Sequence, residues 1–81
     1  MSAKRENTGI KRKTYLIFSQ RERDALRSFL EAKWPDLTVE PQIFGAEYSF
    51  TIKDEDGIDG QAIYEICCWL KNNNVDYGTE S

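Results

Sequence analysis

Residues 13–35, KTYLIFSQRERDALRSFLEAKWP, change their hydrophobic period at a single serine. In residues 13–19, Tyr15 and Ile17 point to one side of an extended chain and Leu16 and Phe18 to the other. A short run that is apolar on both sides suits a central strand covered on both faces. At Ser19 the period lengthens. Ser19 and Glu22 are spaced as a capping box, in which the serine oxygen accepts an orphan amide hydrogen and the glutamate reaches back to the serine amide. Ala25, Leu26, Phe29, Leu30 and then Lys33 or Trp34 follow as a helical stripe, which Pro35 ends.

The downstream half reads as two strands and a second helix. Residues 37–44 alternate, with Leu37, Val39 and Ile43 on one face and Thr38, Glu40 and Gln42 on the other. Pro41 lacks an amide hydrogen for a ladder, so this strand belongs at a sheet edge or carries a bulge. A turn is expected around Gly45, after which Ala46, Tyr48, Phe50 and Ile52 alternate with Glu47, Ser49, Thr51 and Lys53. Residues 54–60, DEDGIDG, read as a turn in which Asp56 or Asp59 caps the next helix and negative charge complements its dipole. On that helix Ala62, Ile63, Ile66, Cys67 and Leu70 form the inward stripe, and Asn72, Asn73 and Asn74 supply a stop that tolerates left-handed backbone.

The order β-α-β-β-α, with room for a short fourth strand at 75–77, predicts an α+β fold of the ferredoxin-like, split βαβ kind. Right-handed crossovers would place both helices on one face of an antiparallel sheet, giving a two-layer sandwich. The other face would carry Thr38, Glu40, Gln42, Glu47, Ser49, Thr51 and Lys53 and lie open and polar. Residues 1–12 lack a hydrophobic period and read as a disordered basic arm, 13–78 as the single domain, and 79–81 as a frayed tail.

Eighty-one residues make one domain, and a chain of this size buries only roughly 60–65% of its unfolded surface. Its net charge of −3 hides a division. Nine of eleven basic residues fall in positions 1–34 with only four acidic ones, and ten of fourteen acidic residues fall in 35–81. Such a division speaks of partners rather than chemistry.

The composition narrows the function classes. There is no histidine, which removes the commonest general base and metal ligand. Cys67 and Cys68 are adjacent, cannot staple distant segments and fit a reducing compartment. No apolar run approaches the roughly 20 residues of a membrane span and no signal-like start is visible, so a cytoplasmic location without membrane contact is expected. A calcium loop beginning at Asp54 fails where Ile58 and Asp59 replace its oxygen ligand and glycine. No phosphate-binding glycine loop or nucleophile elbow is present, so no enzyme activity, cofactor or metal is expected.

Two familiar folds share this strand order. The stretch 47–53, EYSFTIK, resembles superficially the third strand of an RNA-recognition motif, whose exposed aromatics stack bases. Parity argues otherwise, because exposing Tyr48 and Phe50 would bury Ser49, Thr51 and Lys53. Both aromatics are therefore assigned to the core. The acylphosphatases share only the strand order, since residues 18–21, FSQR, lack the glycine-rich anion loop ahead of an arginine.

What remains is binding. The outward side of the second helix carries Tyr64 and Cys68 one turn apart, with Trp69 at its border, a surface suited to a protein contact. Asp54, Glu55 and Asp56 would add electrostatic steering. The expectation is a small non-enzymatic regulator or inhibitor acting on another protein, of the kind phages and mobile elements encode. Its rival is a nucleic-acid accessory factor gripping phosphates with Lys4, Arg5, Lys11, Arg12, Lys13, Arg23 and Arg27.

Overall fold

The computed structural model describes residues 8–41 and 48–80. Six elements follow in the order β1 (Arg12–Ile17), α1 (Gln20–Lys33), β2 (Thr38–Glu40), β3 (Ser49–Lys53), α2 (Gly60–Asn72) and β4 (Tyr77–Glu80). They form an α+β fold whose four strands make one sheet in the order β2-β3-β1-β4, with every neighbouring pair antiparallel. The expected turn at Gly45, together with Gln42, Ile43, Phe44, Ala46 and Glu47, lies outside the described residues. So do Lys4 and Arg5.

Both helices begin as their cap residues direct. Ser19 has extended backbone and its Oγ accepts from the Glu22 amide at 3.3 Å, while Asp59 accepts from the Gln61 amide at 2.9 Å. Asn74 ends α2 in left-handed backbone, with φ of 53°, as the asparagine triplet implied. Gly57 has φ of 99° in the turn before α2, a conformation that a side chain would strain. Asp59→Ala should cost about 1 kcal/mol, read from the shift of a urea unfolding midpoint at unchanged slope.

One buried cluster joins sheet and helices. Tyr15 and Ile17 of β1 and Phe50 and Ile52 of β3 meet Leu26 and Leu30 of α1 and Ala62, Ile66 and Leu70 of α2. The helices lie side by side and antiparallel, with the Phe29 and Trp69 rings 6.4 Å apart and Lys33 bonded to Glu65. Ala25, expected in the α1 stripe, is exposed, and Arg23 is buried in its place. Positions 23, 26 and 30 make the continuous inward row, and 25 falls on its outer side.

Four expectations are revised. First, within the segment read as a disordered arm, the described residues from Thr8 onward are bonded to the fold. The Thr8 hydroxyl donates to the Ile58 carbonyl at 2.8 Å, the Ile58 amide to the Ile10 carbonyl at 2.7 Å, and the Asp54 amide to the Lys11 carbonyl at 2.9 Å. Second, β4 runs later than 75–77. Thr79 and Glu80 pair with Tyr15 and Thr14 where fraying was expected, and Val75 is a buried residue ahead of the strand.

Third, the polar face is not open at its centre. Ser49 and Thr51 are fully buried although Phe50 and Ile52 are buried too. Thr14 and Thr51 satisfy each other across β1 and β3, hydroxyl to hydroxyl at 2.9 Å, and the Lys53–Glu40 pair at 3.0 Å spans β3 and β2 beside them. β3 has a strand on either side, and its short polar side chains are buried despite their polarity. Fourth, Tyr48 is exposed rather than core. It stands at the mouth of β3, its ring 5.3 Å from that of exposed Phe18 and above the Arg23 guanidinium.

Candidate functional site

The site begins with α2, whose inner face is fixed by Ala62, Ile66 and Leu70. At 100° per residue this leaves Tyr64 on the opposite side, where it is 63% exposed, more than any other large hydrophobic residue described. Cys68 follows one turn later and is half-buried. A hydrogen bond with Cys68 is the main cause that raises the Tyr64 phenol above its ordinary value. The hydroxyl therefore stays neutral, and the pair forms a polar point on an aromatic surface.

Glu65 frames this surface on the side toward α1. It accepts from Lys33 and, at 3.2 Å, from Gln61, and these bonds hold its carboxyl below the ordinary carboxylate range. The carboxylate thus remains charged through the neutral range and ties the two helices together at the patch's border.

Trp69 does not belong with Tyr64 and Cys68. It turns toward α1, stacks obliquely on Phe29 and lines a shallow groove with Ser19, Arg21, Glu22, Ala25 and Asn73. The helical wheel places Trp69 at the border of the patch, but it does not reveal that α1 draws the indole away. Trp69 therefore supports the helix pair, and Tyr64 and Cys68 are left as the projecting group.

The acidic turn lies at the start of the same helix. Glu55 and Asp56 are exposed, and Asp54 is half-buried, its carboxylate accepting from the Asp56 amide at 2.9 Å. Tyr64 sits about one helical turn beyond Gly60, close enough for a single partner to touch both. Lys11 and Arg12 run alongside this turn, because the Lys11 carbonyl is bonded to the Asp54 amide. The two ends of the divided charge pattern thus adjoin in space, and each weakens the other's field.

Among the described residues, three of the basic candidates are engaged within the fold. Arg23 is only 5% exposed, with its Nη1 donating to the Ile17 carbonyl at 2.6 Å, so it is a structural group and not a free contact. Arg27 pairs with Glu31 at 3.1 Å along α1, and Lys13 lies 5.4 Å from the centre of the Tyr15 ring. Sequence reasoning missed Arg23 because arginine is assigned to the surface by habit, although its phase with Leu26 and Leu30 was visible. It missed Phe18 and Tyr48 as an exposed aromatic pair because parity alone does not say where a sheet ends.

Among the described residues no group of three histidine, cysteine, aspartate or glutamate side chains could hold a metal ion, and no helix is long and apolar enough to cross a membrane. Burial pushes the Tyr15 phenol up, with Cys67 and Tyr77 nearby adding to the effect, so this inner tyrosine is a neutral core residue. No family model matches the chain, and no curated protein or solved structure matches it.

Proposed function

We propose that the protein is a small non-enzymatic regulator or inhibitor that works by binding another protein through the outer face of α2. Tyr64 is the anchor, Cys68 its polar neighbour, and Glu55 and Asp56 the steering charges, with Asp54 holding the turn's shape. The observation that carries the reading is the 63% exposure of Tyr64 on a helix whose opposite face is fully packed. A rigid, exposed aromatic loses little conformational freedom on binding, and tyrosine is among the residues that dominate interface energies.

The scaffold behind this surface is read as a ferredoxin-like, split βαβ sandwich with both helices on one sheet face, in the cytoplasm. In support are the strand order β2-β3-β1-β4 and a single core drawing on both helices together with Tyr15, Ile17, Phe50 and Ile52. Such a scaffold holds α2 still, so the anchor is presented already ordered.

The test is affinity capture from nuclease-treated host extract with the intact chain and with Tyr64→Ala. The expected result is a protein partner retained by the intact chain and weakened at least ~30-fold by the substitution, the effect of losing a hot spot of about 2 kcal/mol. Thermal unfolding should be unchanged, since Tyr64 packs little. Capture abolished by nuclease, with binding that falls steeply as salt rises, would instead favour the nucleic-acid reading. An identical partner set for Tyr64→Ala would exclude this face.

A further inference from the structure

The two edges of the sheet are unlike. β2 spans only Thr38–Glu40, is followed by Pro41, and carries Glu40 paired with Lys53. Shortness, proline and charge are the usual guards of an edge strand against a further strand. β4, at the opposite edge, has no proline or lysine among Tyr77, Gly78, Thr79 and Glu80.

The ladder shows which groups of β4 face outward. The Ile17 amide donates to the Tyr48 carbonyl at 2.9 Å, so the odd positions of β1 direct their backbone groups toward β3 and the even positions toward β4. In the β1–β4 register Leu16 lies opposite Gly78 and Thr14 opposite Glu80. Gly78 and Glu80 therefore bond to β1, and the amide and carbonyl groups of Tyr77 and Thr79 point away from the sheet. Thr79 is exposed.

Gly78 leaves a gap in the side chains on its face of β4. Its φ is outside the left-handed region, and an added Cβ would meet only ordinary van der Waals contacts, the nearest being Leu16 Cβ at 3.9 Å. The fold of the chain itself does not require glycine there.

We propose that the β4 edge is a second docking site, which receives an extended, basic segment of a partner protein as a fifth strand. Charge selects the occupant. Positions 75–81 contain Asp76 and Glu80 and no basic residue, within a chain of net charge −3. A second copy is disfavoured. Pairing β4 with itself about Gly78 would set position 76 of each copy opposite position 80 of the other, bringing two acidic segments without a basic residue together, and like charges directly opposite are destabilising. The backbone of Tyr77 and Thr79 gives affinity, and lysine or arginine beside Asp76 gives selectivity.

The experiment follows the backbone amides of the full chain by NMR while a short, end-capped peptide of alternating lysine and valine is added. Its glutamate–valine counterpart serves as the comparison. The lysine peptide should shift the Tyr77 and Thr79 resonances and slow their hydrogen exchange, and the glutamate peptide should do neither. Thr79→Pro removes an outward donor and leaves the bonds of Gly78 and Glu80 to β1, so it should abolish the response while those two amides stay protected. Asp76→Lys keeps every backbone group and should weaken the lysine peptide, which preserves the test if the proline variant fails to fold. Changes confined to residues 54–56, or an undiminished response in either variant, would overturn the proposal. So would protection of Tyr77 and Thr79 without peptide in a sample that sediments as a dimer, which would give the edge to a second copy.

Discussion

Replacing Arg23 with glutamate should destabilise the domain by about 3–5 kcal/mol, the scale of a buried charge left without compensation. The guanidinium is 5% exposed, donates to the Ile17 carbonyl at 2.6 Å and lies 5.9 Å from the centre of the Tyr48 ring. It closes the end of β1, where the strand hands over to α1 and a carbonyl would otherwise face the interior unbonded. A carboxylate there meets a carbonyl oxygen and the negative face of an aromatic ring, so every contact changes from attraction to repulsion. Arg23→Met separates charge from packing. It keeps a long stem and relieves the burial of a charge, losing chiefly the hydrogen bond, so the expected cost is about 1–3 kcal/mol. Urea unfolding of the two variants checks the difference. Equal losses would show that the reversed charge adds nothing to the loss of the hydrogen bond.

Phe50→Ala should cost about 3–5 kcal/mol, the range for emptying a buried aromatic site. Phe50 is fully buried in β3, an inner strand, within the cluster that includes Leu26, Leu30 and Ile66. At ordinary per-residue values the whole domain is stable by roughly 4–12 kcal/mol. The substitution should therefore remove a quarter or more of that stability, seen as a lowered thermal midpoint at which near- and far-ultraviolet circular dichroism are lost together. Thr51→Ala on the neighbouring position removes less volume and one hydroxyl bond, and it should fall well short of that loss. A milder effect at Phe50 than at Thr51 would mean that the sheet's two faces have been assigned the wrong way round.

These contrasts show which features a single chain reveals. Ser19, Asp59, Pro35 and the asparagine triplet act through bonds to their immediate neighbours, so their spacing alone located the helices. The periods of Leu26 and Leu30, and of Phe50 and Ile52, likewise gave the inner faces. Features that depend on distant partners were hidden. Thr51 is buried and bonded to Thr14 on another strand, and Trp69 packs on Phe29 of another helix. The basic segment is held through Thr8, Ile10 and Lys11 by a turn more than forty residues away. Its composition resembled that of a free arm because backbone bonds leave no mark on residue type.

For the candidate site the same rule holds. Tyr64 and Cys68 are one turn apart on one helix, so their neighbourhood was legible, whereas Trp69 required knowledge of α1. Arg23 left the group of candidate nucleic-acid contacts once its bond to Ile17 was seen. The divided charge also acquires a different meaning. Basic and acidic stretches far apart in sequence lie together at residues 11–12 and 54–56, which reduces the long-range field of both. In the proposed reading the charges near residues 54–56 steer at short range, and the exposed Tyr64 on α2 supplies the anchor.

Cys68 offers a direct measurement of that claim, because it is half-buried and lies one helical turn from the proposed anchor. Its alkylation rate can be followed by mass spectrometry in the free protein and in the captured complex, with fragmentation separating it from Cys67. A partner seated on Tyr64 should suppress labelling of Cys68 severalfold, and the suppression should vanish with Tyr64→Ala. Labelling of Cys68 at the same rate in the free chain and the complex would place the partner elsewhere and contradict the account.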